Sequence, residues 1–117
     1  MAPFTDNPNA PNNDGETPIY WATLRGYSKI VKILAPLTDN PNAPNKNGKT
    51  PIYSAVCKGH IKIVKILAPL TDNLNDPDKY GRTPIGKAQK NKGLFKPGSK
   101  RYKNSVEICR FLESMQS

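Results

Sequence analysis

Long apolar runs are missing from this chain. None approaches the roughly 20 residues that a membrane-crossing helix needs, so no membrane segment is expected. No apolar leader core follows Met1, which argues against secretion. Cysteine occurs twice, as Cys57 and Cys109, too few for a disulfide scaffold; both read as free thiols in a reducing compartment. Histidine occurs once. His60 has no cysteine or carboxylate cluster near it, so no metal site is expected. No spacing pairs a nucleophile with a base, and Asp76 and Asp78 read as loop polar groups rather than an acid/base pair. These shortages point to a non-enzymatic intracellular protein without a cofactor, cytoplasmic or nuclear.

Acidic residues are also scarce, and unevenly so. The formal net charge is +9. Residues 1–81 carry 9 basic and 7 acidic side chains, whereas residues 82–117 carry 9 basic and 2 acidic. The excess belongs to the C-terminal part, and it concerns partners rather than fold.

What the chain does have is a repeated phrase. Thr50-Pro51-Ile52-Tyr53 recurs 33 residues earlier as Thr17-Pro18-Ile19-Tyr20 and 33 later as Thr83-Pro84-Ile85. Residues 17–49 laid over 50–82 match at 22 of 33 positions. A fixed period in this range marks a stack of supersecondary units. Thr17 is placed to cap a helix whose first residue is Pro18, and Gly26 ends it. Helices are therefore expected over about 18–25 and 28–35, and again over 51–58 and 61–68. Ile30, Val31, Ile33 and Leu34 are spaced for a buried stripe. Polar stretches rich in Pro, Asn and Gly separate the pairs, with Asn47-Gly48 and Tyr80-Gly81 at tight turns.

The third unit departs. A first helix is expected over 84–91, and Ile108, Cys109, Phe111 and Leu112 match Ile63, Val64, Ile66 and Leu67 at an offset of 45 instead of 33. About twelve residues, 93–104, are thus inserted between its two helices and read as a loop. Glu107, Arg110, Glu113 and Gln116 should face outward on the last helix.

Period, opening phrase, Gly59-His60 and apolar spacing together resemble the ankyrin repeat. The resemblance covers nearly all of the chain outside 93–104. It implies an all-α solenoid of helix-turn-helix units with β-turn fingers: a partial repeat at 1–16, repeats at 17–49 and 50–82, and a C-terminal repeat at 83–117. It also implies that the chain starts in mid-repeat without a polar cap, so either it is a piece of a longer array or that end is covered by a partner or, by self-association, a second copy. The family's usual glycine after the second helix is replaced by Thr38 and Thr71, and its histidine in the opening phrase by Tyr20, Tyr53 and Gly86.

The family's contact surface consists of the finger tips and the exposed face of the first helices. Carried over, it comprises Asn13, Asp14, Glu16, Leu24 and Arg25, then Lys46, Asn47, Lys49, Cys57 and Lys58, then Lys79, Tyr80, Arg82 and Lys90. The two near-identical repeats differ at Trp21/Ser54, Leu24/Cys57 and Asn47/Tyr80, variation on a constant frame that suits protein binding. The grading from Asp14 and Glu16 to the later lysines would steer a protein with an acidic surface. A second candidate is the insertion with Lys92, Phe95, Lys96, Lys100, Arg101, Tyr102 and Lys103, where basic and aromatic residues interleave. It fits a flexible solvated loop, a docking loop for a protein, a nuclear-import signal or a nucleic-acid contact. Asn42 and Asn75 resemble the position hydroxylated in some ankyrin proteins, against the simpler reading of asparagines bonding their own loop.

Overall fold

In the computed structural model, residues 9–71 and 76–115 are described; Asn75 and Gln116, and the first half of the partial repeat, lie outside them. Among the described residues the secondary structure is six α-helices and two single 3-10 turns. Helices α1 (Pro18–Leu24) and α2 (Ser28–Leu34) form the first pair, α3 (Pro51–Lys58) and α4 (Ile61–Leu67) the second, and α5 (Pro84–Leu94) and α6 (Lys100–Met115) the third. The first helices pack in the order α1, α3, α5 and the second in the order α2, α4, α6. The result is a two-layer stack, 43 Å long and 27 Å across.

The opening phrase starts each pair in the same way. The hydroxyls of Thr17, Thr50 and Thr83 accept the backbone N–H of Tyr20, Tyr53 and Gly86 at 3.3, 3.2 and 3.1 Å. Proline follows at the first helical position, where a missing N–H costs nothing. Left-handed glycines, Gly26 at φ +74° and Gly59 at φ +73°, turn the chain from first helix to second. Ile19, Ala22, Val31, Ile52, Val64, Leu67, Ile108 and Leu112 then fill one continuous core. Each fully buried branched side chain contributes about 1.5–3 kcal/mol.

Four details differ from the family pattern or from expectation. Both second helices end in a 3-10 turn, Ala35–Leu37 and Ala68–Leu70, because Pro36 and Pro69 cannot continue the α-helical ladder. Thr38 and Thr71 are extended (φ −106° and −110°), and their hydroxyls donate to the Leu34 and Leu67 carbonyls at 2.7 Å. A side-chain hydroxyl thus closes the end that a left-handed glycine would otherwise close. Ile33 does not join the buried stripe: it is 64% exposed, whereas its counterpart Ile66 is half-buried, since α4 lies between α2 and α6.

The fourth difference is the insertion, which is mostly helix rather than loop. Helix α5 runs on to Leu94 and α6 begins at Lys100, so only residues 95–99 connect them. Ser99 caps α6, its hydroxyl accepting the Tyr102 N–H at 3.1 Å, and Gly98 takes φ +90° at the turn. Residues 100–104 lengthen the last helix by more than a turn, and Asn104 reaches back to the Gly59 carbonyl at 3.5 Å.

Candidate functional site

Three fingers share one construction. The side-chain oxygen of Asn12 accepts the N–H groups of Asp14 and Glu16; Asn45 does the same for Asn47 and Lys49, and Asp78 for Tyr80 and Arg82, all at 2.9–3.0 Å. A glycine with positive φ completes each turn, at Gly15, Gly48 and Gly81. Neighbouring fingers are joined by backbone bonds, Lys46 N–H to the Asp14 carbonyl (2.9 Å) and Lys79 N–H to the Asn47 carbonyl (2.8 Å). Asp78 is therefore a turn anchor. Burial alone would push its carboxyl up, but the N–H groups of Arg82 and Tyr80 and the Arg82 side chain hold it below the ordinary range.

Between the fingers and the first helices lie two successive grooves. The first, of about 330 Å³, is lined by Glu16, Tyr20, Leu24, Asn45, Asn47, Lys49, Tyr53, Ser54, Cys57 and Lys58. The second, of about 220 Å³, is lined by Tyr53, Gly81, Arg82, Thr83, Gly86, Lys87 and Lys90. The Tyr20 hydroxyl bridges the repeats across the first, accepting from Ser54 Oγ at 2.9 Å and from Asn45 Nδ2 at 3.2 Å. In the second groove the Arg82 guanidinium lies against two rings, 4.9 Å from Tyr80 and 5.8 Å from Tyr53, while its Nε donates to Asp78 Oδ2 at 2.9 Å. Burial pushes the Tyr53 phenol up to about 12, with Cys57 adding to the shift and Arg82 opposing it. Burial also raises the Cys57 thiol, against the pull of Lys87.

Of the candidate contact residues, Glu16, Leu24, Asn47, Lys49, Cys57 and Lys58 meet in the first groove, and Arg82 and Lys90 in the second. Asn13, Asp14, Lys46, Lys79 and Tyr80 sit exposed on the fingers, and Asp14 pairs with Lys46 at 3.0 Å. Trp21 and Arg25 line neither groove and stack on each other at 5.1 Å, with Tyr27 edge-on to Trp21 at 5.7 Å. The insertion residues do not gather on one surface. Phe95 and Arg101 stack at 5.7 Å and line a third cavity with Cys57, Lys58 and Asn104. Tyr102 and Lys103 border a separate depression along α6, and Lys92 is exposed on α5. Lys96 and Lys100 are exposed near the connection. Asn42 is fully buried, and its side-chain oxygen accepts the Ile52 N–H at 3.0 Å, so any modifying enzyme would have to open the loop first.

Tyr20 and Tyr53 are groove residues outside the expected contact surface, and so is Lys87, one of eight basic residues between Arg82 and Lys103 that the sequence groups with the insertion. The two tyrosines belong to the constant phrase, which offers no variation to notice. Lys87 was visible as the counterpart of Trp21 and Ser54, a position already seen to vary. His60 is structural: its ring lies beside Gly26, and burial lowers its basicity. Among the described residues no three His, Cys, Asp or Glu side chains cluster as metal ligands would, and no helix is long and apolar enough to cross a membrane.

A search among curated proteins finds no match to this chain. A family model described as ankyrin repeats (3 copies) matches residues 3–77 and 37–114, which together span almost the whole chain. Ankyrin repeats are generally protein–protein interaction modules. Helix pairs, finger turns and family match agree, and the chain belongs to the ankyrin-repeat family.

Proposed function

We propose that this protein is a non-enzymatic docking module whose concave face, formed by the two grooves and the finger tips, receives an acidic segment of another protein. One observation carries the reading. Lys49, Lys58, Arg82, Lys87 and Lys90 line the grooves with Glu16 as the single acidic lining residue, and none of the four lysines takes part in an ion pair among the described residues. Unpaired cations on a rigid concave surface accelerate and orient the approach of an acidic partner. An intracellular setting is part of the proposal, supported by the free thiols of Cys57 and Cys109.

The test is capture from native cell extract followed by cross-link mapping, with the wild type and with Lys49→Glu/Lys58→Glu. A partner that cross-links to the grooves, and is lost in the double variant and at high salt, supports the reading. A partner retained equally by both proteins sinks it. The alternative, nucleic-acid binding through residues 93–104, predicts RNA or DNA affinity that falls steeply with salt and disappears in Arg101→Glu/Lys103→Glu. No binding at low salt eliminates it.

A further inference from the structure

The two grooves are built from equivalent positions, 33 residues apart, yet their chemistry differs. Where the first has Lys49, Tyr53, Ser54 and Cys57, the second has Arg82, Gly86, Lys87 and Lys90. Two small neutral side chains have become lysines, and one tyrosine has become nothing. Gly86 is exposed, so the α5 wall is bare at the level where the α3 wall carries the Tyr53 ring. Backbone demand does not explain this glycine. It sits in ordinary helical conformation, without the positive φ of Gly81 or Gly98. A Cβ there would meet only the Thr83 hydroxyl oxygen, at 2.9 Å, and the first two repeats accommodate a tyrosine beside the same threonine cap.

We infer that the second groove is a subsite for an aromatic side chain flanked by carboxylates on a partner peptide, the ring resting against the bare wall at Gly86 and the carboxylates meeting Arg82, Lys87 and Lys90. The guanidinium is set for this before any partner arrives. Asp78 and the Tyr80 and Tyr53 rings hold it, and the Arg82 side chain is still 46% exposed. A fixed fork loses less freedom on binding a carboxylate than a mobile one. The aromatic requirement follows from the space left by the missing side chain, and the acidic requirement from three cations around it. This subsite rests on the concave-face reading but narrows it to one groove.

The experiment uses two fluorescent peptides, one with a tyrosine between paired glutamates and one with alanine in its place, titrated into the full chain. The tyrosine peptide is expected to bind about fivefold more tightly, the increment of one buried aromatic contact. Gly86→Tyr, which restores the phrase of the first two repeats, should erase that difference while leaving weak binding of both peptides. Gly86→Ala, which removes the glycine without filling the space, should keep it. Lys87→Glu/Lys90→Glu should weaken both peptides. Circular dichroism checks that each variant is folded. Equal binding of the two peptides, no binding of either, or indifference to Gly86→Tyr each overturn the subsite. Lys49→Glu/Lys58→Glu leaves the lining of the second groove unchanged, so the broader reading can fail or survive independently of this result.

Discussion

The side-chain oxygen of Asn42 accepts the backbone N–H of Ile52 at 3.0 Å, tying the approach to one finger to the first turn of the helix that follows it. Both residues are fully buried. Replacing the asparagine leaves that N–H without its partner and without access to water. Asn42→Ala is expected to cost about 1–3 kcal/mol, read as a lower urea midpoint at unchanged slope.

Gly26 and Gly59 share a backbone conformation but not surroundings. A Cβ at Gly26 would lie 2.8 Å from the His60 ring, whereas one at Gly59 meets nothing within 4 Å. Gly59→Ala should therefore show only the left-handed penalty of about 1–2 kcal/mol, and Gly26→Ala a larger loss. Adding His60→Ala to Gly26→Ala should recover the excess in a double-mutant cycle. Additivity of the two changes would refute the contact.

Two groups make stability depend on pH below neutrality. Burial lowers His60 below its unfolded value, so the unfolded chain binds the proton first. Its stabilising effect is complete above about pH 6.5 and declines as pH falls towards the lowered folded value. Asp78 is also lowered, because the bonds from Arg82 and Tyr80 outweigh burial. Its contribution is present above about pH 4 and is lost below it. Thermal midpoints should thus fall in two steps on acidification. His60→Gln should flatten the first and Asp78→Asn the second.

Ser99 distinguishes a helical extension from a loop. Its hydroxyl caps α6 at the Tyr102 N–H. Ser99→Ala should destabilise the protein by about 0.5–2 kcal/mol and reduce helical ellipticity. A serine in an unstructured connection would be silent in both measurements.

Much of this architecture was legible because it is repeated. Threonine caps, proline at the first helical position and glycine at each corner are local rules, and each was stated two or three times over. The insertion was read as a loop from its offset alone, and the helix-forming lysines and arginine in it carry no apolar stripe to reveal α5 and α6 extending into it. Ile33 was misread for the opposite reason: its spacing is correct, but burial depends on a neighbouring helix that no local pattern reports. At the site, Lys49, Arg82 and Lys90 were named by carrying over the family's contact surface, and they line the grooves. That surface omitted Tyr20 and Tyr53, whose constancy disguised their place in the groove walls. Gly86 was seen as a break in the phrase, yet only packing shows what the break opens.

The finger-to-finger bonds from Lys46 to Asp14 and from Lys79 to Asn47 use main-chain atoms alone. Apart from the exposed Lys46–Asp14 ion pair, side chains at the tips are consequently spectators to the alignment of the tips. Residues 13, 46, 47, 79 and 80 could be randomised together without disturbing the spacing of the ribbon that presents them. A library at those five positions would sample new specificities on an unchanged ruler.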